Sequence, residues 1–357
     1  MKKLLAILLS VIMVLSLVAC GNKTQGETPS NGDQQQNTET ETKTIKVGLI
    51  CIGDENDQGY TYNFIRGKES ATEALAAKGI NVDWVVKYNI GEDSTCEDAN
   101  IELAEEGCQL IINNSYGFEP FMLKVAPDYP EIEFISCTNQ ASAVDDLDNT
   151  HNAFANIYEG RYLAGVAAGM KLNEMIDSGK ITADKAKIGY VGAFTYAEVI
   201  SGYTSFFLGA RSVCPTATME VTFTGSWYDE TAEKEGAEKL IQNGCVLISQ
   251  HADSMGAPTA CEKAGVPNVS YNGSTVSVGP NTYIISSRID WAPYYVYAIQ
   301  AVIDGKSIDA DWTGTLATKS VVLSDLNTNV AADGTQAAID EAITVSYTHL
   351  RAHETSL

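Results

Sequence analysis

The chain has few basic side chains and few histidines. Its 357 residues include 23 lysines and arginines against 46 acidic residues, which gives a formal net charge of -23. Nucleic-acid binding requires a basic face, so this balance argues against a nucleic-acid partner. Two of the four histidines, His151 and His251, lie in the body of the chain. We therefore expect no metal site, no cofactor and no histidine-based catalytic triad.

Phosphate-binding motifs are missing at the position where they would be expected. The segment GDENDQGYTYNFIRG, residues 53–67, follows an apolar run from Ile45 that predicts a buried parallel strand, and it precedes a helical pattern that extends to Ala77. A dinucleotide-binding loop would contain G-x-G-x-x-G here, and a P-loop would end in Gly-Lys-Ser or Gly-Lys-Thr. This segment has acidic residues and two tyrosines instead. No lysine or arginine recurs in the corresponding loops, which disfavours a phosphorylated ligand.

No C-x-x-C motif is present, although the sequence has eight cysteines. Seven follow Cys20, and their odd number and scattered spacing suit neither a disulfide framework nor a zinc site. We predict that they are buried thiols: Cys51, Cys96, Cys108, Cys137, Cys214, Cys245 and Cys261.

The apolar run at the start of the chain, residues 4–18, is too short for a mature membrane-spanning helix and predicts a signal peptide, residues 1–19. Leu17, Ala19 and Cys20 resemble a bacterial lipobox. This resemblance implies cleavage before Cys20, acylation of that cysteine and anchoring to the outer face of the cell membrane. A secreted protein with a chance cysteine is the alternative. Residues 20–43 are polar and predict a flexible tether.

Strands and helices alternate along the rest of the chain, which predicts parallel sheets covered by helices. The pattern occurs twice. KVGLICI at residue 46 resembles KIGYVGA at residue 187, and the segment around Cys108 resembles the one around Cys245, with offsets of 141 and 137 residues. We predict an α/β fold of two similar Rossmann-like lobes, whose ligand crevice lies at the carboxyl ends of the strands.

The loops expected at these strand ends are rich in aromatic residues, aspartate and asparagine. As a set they favour a flat, heteroaromatic ligand that forms hydrogen bonds. The loop residues are Asp57, Tyr60, Tyr62, residues 113–116, Phe194, Tyr196, residues 227–229, His251, Asp253, Tyr271, Asn272, Asp290 and Trp291.

Several segments resemble the basic membrane protein family of lipoproteins, in the same order and across about residues 45–310. They are NDQGYTYNFIRGKE, YEGRYLAGVAAGM, IGYVGAF, FFLGARSVCP, SWYDETAEKEGAEKLI, ISQHADS and WAPYYVYAI. The resemblance implies a type I periplasmic-binding fold and a substrate-binding protein of an ABC importer that takes up purine nucleosides or nucleobases. The implied partners are a purine base or nucleoside, ABC permease subunits, and the lipid bilayer through acylated Cys20. We expect a monomer.

The resemblance also implies the ligand contacts. The first-lobe loop of the family corresponds to Asn56, Asp57 and Tyr60, so that Tyr60 offers a ring face to a purine and Asp57 an acceptor. The family's second-lobe stacking residue corresponds to Phe206, although the glycine that precedes it in the family is Ser205 here. More similar members match this chain at Tyr60, Trp227, Asp253 and Trp291. Ser115, Tyr116 and Asn272 complete the predicted site.

One departure from the family concerns the sugar. Nucleoside binders of the family have an aspartate pattern for the ribose hydroxyls, whereas this chain has SYNGSTVS with Asn272. An amide lacks the charge-assisted acceptor that roughly doubles the strength of a hydrogen bond. A free nucleobase is therefore expected to bind at least as tightly as its nucleoside.

The predicted substrate-binding domain covers residues 44–345. We assign residues 44–157 and 280–308 to its N-lobe, and residues 158–279 and 309–345 to its C-lobe. Residues 346–357 resemble translated adapter sequence, and we predict a non-native tail.

Two other functions stay open at this stage, although we expect no enzyme. A nucleoside hydrolase would need an aspartate cluster such as D-x-D-x-x-x-D-D to hold a hard cation, and GDENDQGY has only Asp54, Glu55 and Asp57. A signalling or adhesion lipoprotein without a transporter is compatible with the sequence.

Overall fold

A computed structural model of the chain describes residues 42–57, 59–137, 141–143 and 147–354, with side chains up to residue 344. The predicted signal peptide, Cys20 and nearly all of the predicted tether lie outside the described residues. The side chains of the predicted tail lie outside them as well.

Twelve strands and nine α-helices occur in the described part of the chain. The strands are β1 (Lys43–Ile50), β2 (Ile80–Lys87), β3 (Leu110–Asn113), β4 (Glu133–Cys137), β5 (Thr150–Ala155), β6 (Lys187–Gly192), β7 (Thr218–Phe223), β8 (Leu247–His251), β9 (Asn268–Tyr271), β10 (Tyr283–Ile289), β11 (Asp311–Gly314) and β12 (Val321–Leu323). The helices are α1 (Tyr60–Ala76), α2 (Ser94–Glu105), α3 (Glu119–Val125), α4 (Ile157–Asp177), α5 (Ala197–Val213), α6 (Glu230–Gln242), α7 (Gly256–Ala264), α8 (Ala292–Ile303) and α9 (Thr335–Glu354).

The strands form two six-stranded sheets with equivalent topology. The first has the order β11-β5-β4-β3-β1-β2, and the second has the order β12-β10-β9-β8-β6-β7. The pairs in the first sheet are all parallel. In the second sheet only β12 runs antiparallel to its neighbour, β10. The predicted fold of two α/β lobes is confirmed.

Burial explains why the first apolar run forms an inner strand. β1 lies between β2 and β3, and its residues from Val47 to Ile50 are all buried. A parallel strand covered by helices on both faces needs apolar side chains on both, so the run shows no alternation. Gly48 allows α2 to approach, because a Cβ at this position would lie 2.8 Å from Leu103.

The connections between the lobes differ from the predicted boundaries. β10 was assigned to the N-lobe, but it pairs with β9 in the second sheet, and β11, assigned to the C-lobe, pairs with β5 in the first. Helix α8 belongs to the first lobe, as expected, where it contributes Tyr294 and Tyr295 to the core. Sequence alternation shows that a strand is present, whereas the sheet it joins depends on pairing with residues far away in the chain.

The seven cysteines that follow Cys20 are buried and unpaired, as predicted. Burial raises the pKa of the Cys96 and Cys261 thiols to about 12. They therefore behave as small apolar side chains rather than as reactive groups.

Candidate functional site

A cavity of ≈ 550 Å³ lies at the carboxyl ends of the strands, between the two sheets. Open α/β sheets bind ligands in this position. Both lobes line it. The first lobe contributes Ile52, Gly53, Asp54, Asn56, Asp57, Tyr60, Thr61, Asn89, Glu92, Ser115, Tyr116 and Phe154, and the second contributes Phe194, Tyr196, Glu198, residues 225–228, His251, Asp253, Tyr271 and Asn272.

Eight of the ten predicted ligand contacts line this cavity. They are Asn56, Asp57, Tyr60, Ser115, Tyr116, Trp227, Asp253 and Asn272. Phe206 and Trp291 do not belong to the lining, and each lies in the core of its lobe.

Asp57 caps the first helix with its carboxylate. Oδ1 accepts from the backbone N–H groups of Gly59 (2.9 Å) and Tyr62 (3.1 Å), and Oδ2 accepts from Thr61 N–H (2.7 Å). These are free N–H groups at the start of α1, the kind of groups that a phosphate would otherwise use. Burial raises the pKa of Asp57 despite these three hydrogen bonds. The carboxylate therefore occupies the anion position of this loop and still borders the cavity.

Tyr60 is held between the cavity and the first-lobe core. Its hydroxyl donates to the Asn114 carbonyl at 2.6 Å, and its ring lies edge-on to Phe64 at 5.1 Å. Phe64 stacks on Trp291 with a centroid distance of 4.1 Å. Trp291 thus lies behind the cavity wall, and its ring is also 6.3 Å from that of Phe154, which lines the cavity. Packing accounts for the presence of Trp291 in the family motif. Helix α1 lies against Trp291, and it can come this close only because residue 67 is glycine.

The second lobe presents a cluster of aromatic rings. Phe194 and Tyr196 stack at 5.0 Å, and Trp227 lies edge-on to Phe194, also at 5.0 Å. Tyr196 stacks in turn on Tyr116 of the first lobe at 5.0 Å. Offset stacking at such distances is favourable. The cluster supplies apolar ring faces to the cavity and a direct contact between the lobes.

Asp253 and Asn272 form a hydrogen-bonded pair in the cavity wall. Asn272 Nδ2 donates to Asp253 Oδ1 at 2.6 Å, and the Asn272 backbone carbonyl accepts from Asn63 Nδ2 of the first lobe at 2.7 Å. Asn272 has φ 61°, in the left-handed region that asparagine tolerates. Burial, and then the negative charge of Asp57, raise the pKa of Asp253 well above its usual range.

Ser115 and Asn56 complete the first-lobe wall. Ser115 Oγ donates to Glu92 Oε1 at 2.7 Å, and Glu92 Oε1 also accepts from Gly117 N–H at 2.8 Å. Asn56 N–H donates to Asp54 Oδ1 at 2.9 Å. Glu92 follows β2, a strand end for which the sequence analysis named no site residue.

Phe206 lies on the inner face of α5, fully buried in the second-lobe core. Its ring packs on the Arg161 guanidinium at 4.9 Å and lies 5.7 Å from the Tyr190 ring. Helices α4 and α5 are in close contact here, since a Cβ on Gly165 would lie 2.0 Å from the Phe206 carbonyl oxygen. The predicted role in ligand stacking does not agree with this position, and an aromatic residue on an apolar helix face is here a core residue.

Glu198 and His251 form a polar centre that the predicted contacts did not include. His251 was noted in a loop, but Glu198 lies in the first turn of α5 and was missed. His251 Nε2 lies 2.7 Å from Glu198 Oε1, and the Tyr271 hydroxyl donates to the same oxygen at 3.4 Å. The sequence offered one signal for Glu198, namely a carboxyl group two residues after Tyr196, a residue of the predicted loop.

Glu233 links the loop that contains Trp227 to the loop that contains Asp253 through hydrogen bonds to their backbones. It is fully buried on α6 and accepts from the backbone N–H groups of Asp229 (3.2 Å) and Ser254 (3.1 Å). These residues follow Trp227 and Asp253 in the chain. Burial raises the pKa of Glu233 from 4.5 to about 7, although its hydrogen bonds oppose the shift.

Replacement of Glu233 by glutamine should remove a pH dependence of stability. The raised pKa means that the unfolded chain loses this proton first, so stability is fully present below pH 4.5 and is lost as the pH rises to about 7. The loss amounts to up to about 3 kcal/mol. Denaturant titrations of wild type and Glu233→Gln between those pH values measure it, with exposed Glu235→Gln on the same helix as the control. Parallel pH profiles for all three proteins would contradict this prediction.

The described residues contain no group of three or more His, Cys, Asp or Glu side chains that could hold a metal ion. None of the helices in the described part of the chain has the length and apolar character needed to cross a membrane.

Comparison with known proteins identifies relatives over most of the chain. Residues 44–347 match the family described as ABC transporter substrate-binding protein PnrA-like. A purine-binding protein of Brucella abortus (strain 2308) is 32% identical over 261 residues, which are 73% of this chain and 69% of that protein. A Haloferax volcanii protein that bears the name of an ABC transporter glucose-binding protein is 30% identical over 295 residues, 82% of this chain and 70% of its own length.

A solved structure of a solute-binding protein of an ABC transporter system from Conexibacter woesei has the same fold. It superposes with a TM-score of 0.67 at 22% identity, and the alignment covers 85% of this chain and 97% of that one.

Proposed function

Because the chain belongs to the PnrA-like family of ABC transporter substrate-binding proteins, we propose that it is a lipid-anchored extracytoplasmic receptor that binds a purine base or nucleoside and delivers it to an ABC importer. The family resemblance recognised from the sequence is confirmed by this membership. The relative from Brucella abortus, named as purine-binding, supports the choice of ligand.

The observation that supports a purine best is the composition of the cavity wall. Aromatic rings from both lobes, among them Tyr60, Tyr116 and Trp227, surround a space that also contains the hydrogen-bonded pair of Asp253 and Asn272. A purine has two π faces for the rings and N–H groups on its edge for the carboxylate. Base stacking on aromatic side chains and hydrogen bonds at the edge together fix the ligand in one orientation.

The proposed anchor is the acylated Cys20, which together with residues 20–43 would hold the receptor at the outer membrane surface. Several acyl chains on one cysteine give stable attachment, whereas a single chain does not. The net charge of -23 supports this arrangement, because an acidic protein is repelled by an anionic membrane surface and stays above it.

Isothermal titration of the purified chain against a panel of ligands tests the proposal. Adenine, guanine, hypoxanthine and their nucleosides should bind, while glucose, cytidine and uridine serve as comparison ligands. Chromatography of the recovered ligand should show intact nucleoside, because the proposed role includes no bond cleavage. Binding of glucose alone would overturn the purine assignment. Release of free base from a nucleoside would instead support the alternative function, a nucleoside hydrolase.

Replacement of Trp227 by alanine should weaken purine binding by about 1 to 3 kcal/mol, the usual contribution of a ring on which a base stacks. Trp227 is half-buried in the cavity wall, and its backbone carbonyl keeps its bond to Asp253 N–H in the variant. Tyr158→Ala removes an exposed ring outside the cavity and is the control. Titration of both variants measures the difference, and wild-type affinity in Trp227→Ala would assign the ring to packing.

A further inference from the structure

Glu198 occupies the cavity wall of the second lobe with one carboxylate oxygen uncommitted. Its side chain is 20% exposed and borders the cavity. Among the described residues, both hydrogen-bond donors to Glu198, His251 and Tyr271, reach Oε1. Oε2 is therefore available to accept from a ligand.

A chain of hydrogen bonds extends from Glu198 into the core. His251 Nδ1 lies 3.3 Å from the Tyr190 hydroxyl, and the Arg161 guanidinium donates to that hydroxyl at 3.2 Å. Arg161 is fully buried, and it also donates to the Ser270 carbonyl at 2.9 Å. Among the described side chains, no carboxylate pairs directly with this guanidinium.

The donor and acceptor roles in this hydrogen-bond network are inferred from Arg161, its innermost member. Arginine can only donate, so the Tyr190 oxygen accepts. Burial raises the pKa of Tyr190 to about 12, so the phenol keeps its proton and can donate it to His251 Nδ1. Nε2–H of His251 then donates to Glu198. Along the path from Arg161 through Tyr190 and His251, each hydrogen bond is then donated in the direction of the carboxylate, which leaves Glu198 as an acceptor for the cavity.

Packing holds this arrangement in place. The His251 ring lies 4.0 Å from the Tyr271 ring, at an interplanar angle of 30°. Helix α5 also comes so close that a Cβ on Gly202 would lie 2.5 Å from His251 Nδ1. The imidazole therefore has little freedom to turn away from Glu198.

We propose that Glu198 is a specificity-determining contact that accepts a hydrogen bond from the 2′- or 3′-hydroxyl of a bound nucleoside, and that His251, Tyr190 and Arg161 are positioning residues for it. This inference rests on the proposed function. It revises the expectation that a free base binds at least as tightly as its nucleoside, which considered only the amide of Asn272. The structure brings a carboxylate to the cavity from another element, α5.

Two separate acceptors on the second lobe support the sugar assignment. Asp253 is next to the ring that would stack on the base, since its N–H donates to the Trp227 carbonyl at 3.0 Å. Glu198 belongs to a different element, two residues after Tyr196. A free base has donors only around one small ring system, whereas a nucleoside has them on the base and on the sugar. The cavity of ≈ 550 Å³ has the size of sites that hold whole small-molecule ligands.

The test compares adenine, adenosine and 2′,3′-dideoxyadenosine by titration against wild type and Glu198→Gln, with the full chain purified in detergent. Adenosine should lose about tenfold or more in affinity in the variant, adenine should change less than about threefold, and dideoxyadenosine should bind both proteins equally. Glu230→Gln, an exposed glutamate in the first turn of α6, is the matched control.

Three outcomes separate the hypotheses. Equal losses for adenine and adenosine in Glu198→Gln, or wild-type affinity for dideoxyadenosine as high as for adenosine, would overturn the sugar contact while the receptor function stands. If no purine base or nucleoside binds to the wild-type protein, the proposed function itself is wrong.

The positioning role has its own spectroscopic signature. Nitrogen NMR of histidine-labelled protein should show the His251 imidazole as the neutral tautomer with its proton on Nε2. Tyr190→Phe should disturb that signal and lower the ratio of adenosine to adenine affinity, while adenine affinity stays within about threefold. A wild-type ring protonated on Nδ1 would contradict the chain of donors, and an unchanged affinity ratio in Tyr190→Phe would limit Tyr190 to packing.

Discussion

A 5′-phosphate on a purine nucleoside should weaken binding at least about 100-fold, or about 2.7 kcal/mol. The described residues that line the cavity include five carboxylates, and no lysine or arginine is among them. Two like charges about 4 Å apart repel by about 1 kcal/mol in bulk water and about 4 kcal/mol at the effective dielectric constant of about 20 found near protein surfaces. A phosphate inside this cavity would meet several such charges.

The start of α1 adds a second reason for this exclusion. Helix N-termini bind phosphate through free backbone N–H groups, but Asp57 already accepts from those of Gly59, Thr61 and Tyr62. A nucleotide would have to displace a carboxylate that belongs to the protein. The segment that lacks a phosphate-binding motif therefore has a built-in anion in its place.

Competition titrations with adenosine and adenosine 5′-monophosphate measure the effect. A neutral 5′-phosphotriester of adenosine separates charge from size, since it should bind far better than the monophosphate. The penalty should also shrink as salt increases from about 0.02 M to about 0.5 M, because exposed charges are screened over shorter distances. Equal affinity for adenosine and the monophosphate would contradict the electrostatic account.

Much of the fold and the location of the site followed from local patterns. The duplicated strand motifs predicted two sheets with the same topology, and the rule that ligands bind at strand carboxyl ends placed Tyr60, Trp227 and Asp253 around one cavity. These residues come together because strand ends in parallel sheets converge at one edge. The loops that follow them meet without any need to know the packing of the helices.

The errors concern residues on helices and strands whose partners are far away in the chain. Phe206 and Glu198 both belong to α5, yet only Glu198, in the first turn, reaches the cavity. A sequence pattern shows that a helix has an apolar stripe, but not which end of the helix meets the ligand. Trp291 was misplaced for a related reason, because its contact with Phe64 depends on the packing of α8 against α1.

Replacement of Asp253 by asparagine should have opposite effects on folding and on ligand binding. Burial and the nearby charge of Asp57 raise the pKa of Asp253 well above 3.8. The unfolded chain then loses the proton more readily than the folded protein, so stability is lost as the pH rises above 3.8. Asparagine has no proton to lose. The variant should melt at a higher temperature than wild type at neutral pH, and the difference should vanish at about pH 3.

Binding should change in the other direction, by about 100-fold. A purine edge presents N–H donors, and an ionised Asp253 can accept two of them through hydrogen bonds worth at least about 1.5 kcal/mol each. The amide of asparagine would turn a donor of its own toward one of these N–H groups. Asp229→Asn, an exposed carboxylate outside the cavity at the start of α6, is the matched control, since asparagine also caps helices well.

Thermal unfolding measures the predicted gain in stability of Asp253→Asn, and ligand titration of the same protein preparations measures the predicted loss of affinity. A variant that is both more stable and a weaker binder would show that Asp253 is kept for its ligand at a cost to the fold. An Asp253→Asn protein that binds purines as tightly as wild type would instead show that the side chain acts as a neutral acid. The purine edge would then have to offer an acceptor as well as a donor, because a protonated carboxyl donates through one oxygen and accepts through the other.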